Sequence, residues 1–517
     1  MKRNFVNESR LTRRGFLATG ALAGSVLGIG SDAIEAKPVN PSAGKFGERT
    51  HGSKILAPKI PLKKIGLIFE DLKRNASPEE LYRFLYALPK GGDIHHHFGG
   101  GMLPEMWFDV ATDRSRNGYQ EFYTRYRVSG YFKTDANKHR DSRNRMFWTT
   151  ISESSFKSLP APARTDFKAM TSLNQEEREE WLGSVVLDKD YEGRDEFFEY
   201  IWPRLNELLS SIDVMSELLV ENMKRFAAEG VRYLEIQTGP WGWKDGRGND
   251  LSAEEANAAI KRRLNQPDAV ATGVTVRFQG IVVRFEDDAE EKVERFYEFI
   301  DQHRDFWVGL NMAGREDDNR GYAARFTGVY DRMLRKYPGI GISIHAGEAE
   351  KRDTQIFDTL RLGATRIGHG INLFQDEKTM QVMRGEKFLV EINLISNELL
   401  GYVPDLDKHP FPIYLRQGIP VCLNTDDRGM WHSNMTDEYY VAVSRYNLSW
   451  KELISLGENS LVHSFMDEEE KMQLVSEYNE DLIVFADRCL EKGWREMAAS
   501  TDAVTYDYGR DKLGLTI

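Results

Sequence analysis

The chain has 517 residues, of which 41% are hydrophobic, and its 27 Phe, 21 Tyr and 10 Trp can fill a large core. This composition excludes a mostly disordered protein. A net charge of -12 argues against nucleic acid or an anionic membrane surface as the main partner, because both are bound through dense Lys and Arg. The two cysteines, Cys422 and Cys489, are too few for a disulfide scaffold, and we expect two free thiols rather than one bridge.

The first 36 residues run from charged to apolar to small side chains, an order that is typical of an export signal. Arg13-Arg14 followed by Gly-Phe-Leu is similar to a twin-arginine signal. The apolar run over residues 18–30 is too short and too rich in Gly and Ala to span about 30 Å of hydrocarbon, which disfavours a membrane anchor. We therefore predict a signal peptide over residues 1–36 and a periplasmic or secreted protein.

Residues 37–87 are predicted to form a linker and then an N-terminal helical extension. A helical apolar pattern covers about residues 61–88, and Ser77-Pro78-Glu79-Glu80 marks a helix start. Beyond residue 88, short apolar runs alternate with amphipathic helical stretches. The eight strand candidates cover residues 92–98, 232–238, 276–285, 306–313, 341–347, 366–372, 388–393 and 419–425.

Strands that alternate with helices predict a parallel sheet in an α/β fold, and closure into a (β/α)8 TIM-type barrel is the economical solution. An open doubly wound sheet is the alternative, which the lack of a Gly-x-Gly-x-x-Gly turn disfavours. The barrel is predicted to occupy residues 88–517, with an aromatic-rich insertion over about residues 101–194, after the first strand. This insertion would emerge at the C-terminal mouth, either to cap a pocket or as a packed accessory subdomain.

The first strand ends in three consecutive histidines, His95-His96-His97. Alternate residues of a strand face the same side, so His95 and His97 point together and His96 points away. Two imidazoles on one face of a barrel strand form half of a metal site. A simple histidine tract is the rival interpretation.

Further histidines and carboxylates follow three later strands. These residues are His345 and Glu348 after strand 5, His369 after strand 6, and Asp426 and Asp427 after strand 8. Because the C-terminal ends of barrel strands meet at one mouth, the pattern predicts a single shared site. Imidazoles with a carboxylate fit Zn²⁺ best, with Fe or Co as substitutes. Spacing alone leaves open whether His345 or His369 is the ligand.

Four motifs in this order resemble those of the adenosine deaminase family of metal-dependent barrels. They are His95-x-His97, His345-Ala-Gly-Glu348, Arg366-Ile-Gly-His369-Gly and Asn424-Thr-Asp426-Asp427. The resemblance runs from about residue 88 to 465. The export signal and the long insertion are similar to the layout of the secreted adenosine deaminase-related growth factor branch.

The resemblance implies a role for each residue. The ligands of one Zn²⁺ per chain would be His95, His97, His345 and Asp426. Glu348 would carry a proton to purine N1, His369 would orient the water that the metal activates, and Asp427 and the Gly314 N–H would contact N7 and N3. The chemistry is consistent, because displacement of an aromatic amine needs an activated water and an acid that protonates the ring.

Two positions depart from the family pattern. Family members place an aspartate directly after the second histidine, or one residue later, where it holds a ribose hydroxyl. This chain has Phe98 and Gly99 there, so the sugar contact is missing or supplied elsewhere, for example by the insertion. Arg428 stands where proline is usual, either as a positive charge at the mouth or as a surface arginine paired with an acid.

We expect zinc-dependent hydrolytic deamination of adenosine, 2′-deoxyadenosine or a close 6-aminopurine nucleoside, a small-molecule partner. One alternative is another hydrolase that applies the same zinc chemistry to an ester, an amide or a different cyclic amidine. A second alternative is a secreted binding protein without activity, which the presence of Glu348 and all four ligand candidates disfavours. The assembly state stays open, with a homodimer as one option.

Overall fold

The computed structural model describes residues 62–127, 149–316, 321–349, 351 and 353–517. The predicted signal peptide and most of the linker after it lie outside the described residues, as does part of the aromatic-rich insertion. Among the residues that are described, no helix combines the length and the apolar character needed to cross a bilayer. Cys422 and Cys489 are both free and buried, as expected.

Eleven strands occur in the described part of the chain. They are β1 Gly91–His97, β2 Phe122–Arg125, β3 Thr150–Ser152, β4 Phe167–Ala169, β5 Val231–Thr238, β6 Thr275–Val283, β7 Trp307–Ala313, β8 Gly341–Ala346, β9 Arg366–His369, β10 Leu389–Ile392 and β11 Val421–Leu423. Eight of them, β1 and β5 to β11, form one sheet in chain order, and their pairings are parallel. The other three form a small antiparallel sheet within the predicted insertion.

The eight-stranded sheet closes on itself at the seam between β11 and β1. His96 and Asp426 form a parallel bridge there. The His97 N–H donates to the Asp426 carbonyl at 3.1 Å, and the Asp426 N–H donates to the His95 carbonyl at 3.0 Å. The side-chain oxygen of Asn424 accepts the Ile94 N–H at 3.1 Å. The predicted (β/α)8 barrel is confirmed, and the open sheet is excluded.

Helices surround the barrel and extend it at both ends of the chain. The α-helices are Leu62–Asn75, Pro78–Ala87, Pro104–Thr112, Glu153–Ser158, Ala161–Arg164, Gln175–Ser184, Arg194–Glu196, Trp202–Leu205, Ile212–Ala228, Ala253–Leu264, Pro267–Val270, Ala289–Gln302, Thr327–Lys336, Gln355–Arg361, Glu377–Glu386, Leu394–Leu399, Phe411–Arg416, Arg428–Trp431, Met435–Tyr446, Trp450–Val462 and Glu468–Ala499. Single 3-10 turns are Met170–Ser172, Asn206–Leu208, Ala323–Phe326, Leu373–Gln375 and Leu406–Lys408, and π-turns are Phe197–Ile201 and Tyr508–Lys512.

The helix starts follow the local sequence. The Ser77 hydroxyl accepts the Glu80 N–H while the Glu80 carboxylate accepts the Ser77 N–H, which closes the predicted capping box. The helix Pro78–Ala87 that begins there lies against the C-terminal helix Glu468–Ala499, with the Phe84 ring edge-on to Phe485 at 5.1 Å. This packing fixes the chain just before β1.

The segment between β1 and β5 lies against the C-terminal mouth of the barrel. The Phe197 ring is 5.1 Å from the Trp431 ring, which follows β11. The Trp202 ring is so close to Gly99 that a Cβ atom there would lie 2.9 Å from it. Aromatic side chains of this segment therefore cover the edge of the mouth next to β1 and β11.

Candidate active site

Four donor atoms from three strands converge at the mouth of the barrel. The Nε2 atom of His345, in β8, is 3.1 Å from His95 Nε2 and 3.3 Å from His97 Nε2. Asp426 Oδ1, just after β11, is 3.0 Å from His97 Nε2 and 3.4 Å from His95 Nε2. Residues from both ends of the sheet meet here because the barrel closes between β11 and β1.

These separations suit one metal ion. Tetrahedral nitrogen and oxygen ligands at about 2.0–2.1 Å from a zinc ion lie about 3.3 Å from one another. Three imidazoles and one carboxylate form a donor set of the kind that zinc prefers. The four residues of the cluster can therefore hold a metal ion.

His369 lies at the edge of this cluster. Its Nε2 atom is 3.7 Å from Glu348 Oε1 and 4.0 Å from Asp426 Oδ2. A set of donors that includes His369 with His95, His345 and Asp426 is compact enough for a metal. The His345 ring centre lies 4.4 Å from that of His95, compared with 5.1 Å for His369, which favours His345 as the third histidine donor.

Oxygen atoms behind the histidines set which ring nitrogen faces the cluster. The Nδ1 atom of His95 donates to Glu391 Oε2 at 2.6 Å, and His345 Nδ1 donates to Asn311 Oδ1 at 2.8 Å. An N–H on Nδ1 leaves the lone pair on Nε2, where a metal would bind. The polar residues behind the cluster therefore prepare both imidazoles as ligands.

A buried ionic layer in the barrel interior holds Glu391 in place. Arg366 Nε lies 2.5 Å from Glu391 Oε1, and Arg366 Nη1 lies 2.7 Å from Glu235 Oε2. Ser343 Oγ donates to Glu391 Oε1 at 2.8 Å. Burial alone would raise the pKa of Glu391, but the Arg366 guanidinium and the hydrogen bond from His95 hold this pKa well below its usual range. Glu391 is thus a fixed anion behind His95.

Glu348 is a buried carboxyl group beside the cluster, and its residue is 5% exposed. Burial, and then the negative charges of Asp426 and Glu316, raises its pKa well above the usual value. The backbone N–H groups of Gly347 and Glu348 donate to the Glu316 carboxylate at 2.9 and 3.1 Å. A carboxyl group that keeps its proton near neutral pH is suited to act as a general acid.

Asp427 and Gly314 stand at the same mouth. Burial, partly offset by the charge of His97, raises the pKa of Asp427 to about 8. A Cβ atom on Gly100 would lie 1.6 Å from Asp427 Oδ1, so any larger residue there would displace this carboxyl group. Gly314 follows β7 with a φ of 111°, a conformation that favours glycine.

Two of the candidate site residues have strained backbones. His369 has a φ of 64° and Asp426 a φ of 54°, both in the left-handed region. This conformation costs a non-glycine residue about 1–2 kcal/mol, and such residues cluster at functional sites. The positive φ angles turn both side chains as their strands end, and the polar contacts of the site hold them there.

A family model described as adenosine deaminase matches residues 170–481, which is more than half of the chain. The chain belongs to the adenosine deaminase family. It is therefore an aminohydrolase that acts on C–N bonds of cyclic amidines. The matched span includes His345, His369 and Asp426, while β1 with its histidines lies before it.

Individual members of the adenosine deaminase family agree with this match. The chain is 31% identical over 268 residues to an adenosine deaminase of Erwinia tasmaniensis, covering 51% of this chain and 77% of the relative. It is 24% identical over 446 residues to an adenosine deaminase of Lutzomyia longipalpis, covering 81% and 82% of the two chains. The crystal structure of an adenine deaminase from Arthrobacter aurescens has the same fold, with a TM-score of 0.55, 21% identity and coverage of 76% and 98%.

At the position where the adenosine deaminase family pattern has its aspartate, this chain places a core residue. Phe98 is 2% exposed, and its ring lies 5.6 Å from Phe278 and 6.0 Å from Trp243. Gly99, the next residue, is covered by Trp202 and Leu209. Neither Phe98 nor Gly99 has a polar side chain that could contact a substrate next to His97.

The sequence prediction for Arg428 was wrong about its location. Arg428 is fully buried, and it donates to Glu229 Oε1 at 2.9 Å and to Asn222 Oδ1 at 2.7 Å. It pairs with an acid, as one alternative proposed, but inside the protein rather than at its surface or mouth. His96 points away from the cluster and toward the same buried region as Arg428, as strand alternation predicts. Its ring nitrogens lie 3.1 Å from Thr425 Oγ1 and 2.8 Å from Asn222 Nδ2.

Sequence reasoning missed Gln237, at the C-terminal end of β5. It is 2% exposed and pairs in register with His97 of β1. It lies two residues after Glu235, so the two side chains face the same interior of the barrel. Neither atom of its carboxamide has a hydrogen-bond partner among the described residues. Polar residues at alternate positions of this strand were the signal in the sequence.

Proposed function

We propose that this protein is a zinc-dependent aminohydrolase that deaminates adenosine, 2′-deoxyadenosine or a close 6-aminopurine nucleoside, with one zinc ion per chain. The observation that carries the proposal is the set of four donor atoms, in which Asp426 Oδ1 and His345 Nε2 each lie 3.0–3.4 Å from both β1 histidines, with the buried carboxyl group of Glu348 beside them. The relatives named adenosine deaminase support the choice of a purine nucleoside as substrate.

In this proposal His95, His97, His345 and Asp426 hold the ion. When bound, zinc lowers the pKa of water to about 7 and so supplies a nucleophile at neutral pH. Glu348 keeps its proton because of burial, and it donates that proton to purine N1 as C6 becomes tetrahedral. His369 orients the attacking water from the edge of the cluster.

Two further residues position the purine ring. Asp427, whose pKa is raised to about 8, donates a hydrogen bond to N7 in its protonated form. The N–H of Gly314 donates to N3 from the end of β7. These contacts would hold the ring so that C6 faces the metal site, which converts binding energy into correct orientation.

The sugar contact is where this chain departs from the family pattern. Gln237 pairs in register with His97, and neither atom of its buried carboxamide has a hydrogen-bond partner in the part of the chain that the structure describes. We propose that Gln237 faces the substrate. A neutral amide contributes about 0.5–1.5 kcal/mol per hydrogen bond, less than the about 1.5–3 kcal/mol of a carboxylate. We therefore expect less than about tenfold preference in kcat/KM for adenosine over 5′-deoxyadenosine. A preference above about 100-fold would show a dedicated partner for the 5′-hydroxyl.

Metal analysis of the purified protein, combined with a substrate panel, tests the proposed reaction. The panel contains adenosine, 2′-deoxyadenosine, 5′-deoxyadenosine, adenine, an aryl ester and an aryl amide. The readouts are ammonia release, loss of the adenine absorbance and release of the aryl leaving group. One zinc per chain with turnover of the nucleosides supports the proposal. Bound zinc with turnover only of esters or amides would indicate the alternative hydrolase, and absence of metal together with absence of turnover would favour a binding protein.

We also propose, from the sequence alone, that residues 1–36 direct export to the periplasm or beyond. The charged, apolar and small segments in that order support this location. Replacement of both Arg13 and Arg14 by Lys should retain the protein in the cytoplasm, as measured by cell fractionation. Unchanged export of that variant would refute a twin-arginine signal.

A further inference from the structure

A chain of hydrogen bonds connects a backbone amide to His369. The Phe411 N–H donates to His409 Nδ1 at 3.1 Å. A backbone N–H can only donate, so Nδ1 of His409 is an acceptor and carries no proton. His409 is buried, and burial lowers its pKa to about 3. The neutral ring therefore carries its single proton on Nε2.

This proton fixes the orientation of Asn397. His409 Nε2 is 3.0 Å from Asn397 Oδ1, so the ring N–H donates to the amide oxygen. The amide nitrogen of Asn397 is then directed at His369, and it donates to His369 Nδ1 at 2.9 Å. A second amide, Asn393 Nδ2, lies 3.2 Å from His369 Nδ1 and 3.4 Å from Nε2, so it does not distinguish the two ring nitrogens. The Asn397 donor directed at His369 Nδ1 leaves no place for a proton on that atom.

We infer that His409 and Asn397 are positioning residues that fix His369 as the neutral tautomer with its proton on Nε2. That N–H faces Glu348 Oε1 and Asp426 Oδ2 at 3.7 and 4.0 Å. A ring nitrogen that carries a proton has no lone pair for a metal, so His369 acts as a hydrogen-bond donor and not as a ligand. This tautomer answers the question that the spacing of the sequence left open.

The opposite arrangement at His345 supports the inference. Asn311 presents its oxygen to His345 Nδ1, and its own nitrogen donates to Ser343 Oγ at 3.3 Å. Asn397 presents its nitrogen to His369 Nδ1. Two asparagines thus set two neighbouring histidines in opposite tautomers, one with a free Nε2 lone pair and one with an Nε2 proton.

The catalytic consequence rests on the proposed deamination, whereas the tautomer itself does not. In the proposed reaction, the His369 N–H donates to the oxygen of the attacking water, so it orients a lone pair toward purine C6. A His369 protonated on Nδ1 instead would present a lone pair and would compete for the metal or for the proton of the water. His409, which does not contact the cluster, would therefore affect turnover through Asn397.

The test is ¹⁵N NMR of the metal-loaded protein with labelled histidine, in which the His369 signals are assigned by their loss in His369→Gln. We expect His369 Nε2 at the shift of a protonated ring nitrogen and Nδ1 at that of an unprotonated one. In Asn397→Asp the new carboxylate can only accept, so a proton should appear on Nδ1. The matched control, Asn311→Asp, keeps an oxygen facing His345 and should leave the tautomers of both histidines unchanged.

Activity provides a second readout. Asn397→Asp should lower kcat for adenosine by about 10²-fold or more with KM within about threefold, because the hydrogen bond acts on the attacking water. A proton on Nδ1 in the wild-type protein, or the absence of a proton on Nδ1 in Asn397→Asp, would overturn the inference. The wild-type spectrum decides the tautomer even if the variant fails to fold. A protonated Nε2 in a protein without deaminase activity would leave the inference standing and refute the proposed function.

Discussion

The neighbouring histidines of β1 provide the sharpest test of the site, because substitution of each should affect a different property. His97 contributes one of four donor atoms, with Nε2 3.0 Å from Asp426 Oδ1. His97→Ala should lower metal affinity by more than the about 10–100-fold that follows loss of an outer partner of a ligand. Its side chain is 14% exposed and contacts other donors of the cluster, so we expect the free energy of unfolding without metal to change by less than it does in His96→Ala.

His96→Ala should instead lower the free energy of unfolding and leave metal binding unchanged. The His96 ring is fully buried and bonds to Thr425 and Asn222. Its removal takes away the partner of the buried Asn222 amide nitrogen, at about 1–3 kcal/mol, and opens a cavity, while the Thr425 hydroxyl keeps its hydrogen bond to Asp93. We expect a total loss of about 3–5 kcal/mol in the free energy of unfolding, with metal content unchanged in the folded fraction.

Elemental analysis after gel filtration measures metal per folded chain, and urea unfolding in chelator measures stability without metal. The two measurements separate the two histidines because metal loss alone does not change stability in chelator. Equal metal loss from both variants would refute the argument that alternate residues of β1 face the site. Retention of one metal per chain by His97→Ala would remove His97 from the ligand set.

Three further changes have specific expected outcomes. Glu348→Gln cannot deliver a carboxyl proton and should lower kcat by about 10²–10⁴ with zinc content unchanged; near-normal turnover would assign the acid to another residue, with Asp427 next. Gly100→Ala forces a Cβ atom to 1.6 Å from Asp427 Oδ1 and should impair activity. In the control Gly385→Ala, the new Cβ atom has nothing within 4 Å, so activity should be unchanged and the free energy of unfolding should be equal or higher by up to about 1 kcal/mol. Burial alone would lower the pKa of His432, but hydrogen bonds to two carboxylates raise this pKa to about 9. The protonated His432 ring therefore stabilises the folded protein fully below about pH 6.5, and this stabilisation is lost as the pH rises through about 9. His432→Asn, which tolerates the positive φ of 46°, should lower the free energy of unfolding by about 1–3 kcal/mol at pH 6 and hardly at pH 10 in urea titrations; equal losses at both pH values would contradict the charge pairing.

The sequence was sufficient for the barrel because each strand is a short apolar run between amphipathic helices. Strand starts were predicted within two residues, for example 231 against 232 for β5, since burial on both faces gives a clear signal. Ends were less accurate where polar site residues continue the strand, as in β9, which ends at His369 rather than at residue 372. Backbone with a positive φ ends this strand early.

The sequence predicted the site residues at the strand ends, but it did not predict the buried residues that hold them in place. Arg428 can be buried because Glu229 and Asn222, which are distant in sequence, accept its hydrogen bonds. The roles of His409 and Asn397 depend on which atom of each side chain faces the other. The spacing of residues in the sequence does not predict that orientation. Gln237 could have been noticed as a polar residue at a buried strand position, whereas Glu316 required knowledge of the Glu348 backbone that it binds.

The seam between β11 and β1 has a consequence for the order of events during synthesis. The residues that meet there are 330 positions apart, as Ile94 and Asn424 illustrate. A nascent chain that has not yet released β11 holds the β1 histidines but has neither Asp426 nor the strand that closes the barrel. Contacts this distant in sequence slow folding, since the entropy of closing the intervening loop must be overcome before they form. Tight retention of a metal would then require that synthesis of the whole barrel is complete. Products truncated before β11 should therefore neither retain a metal nor turn over substrate.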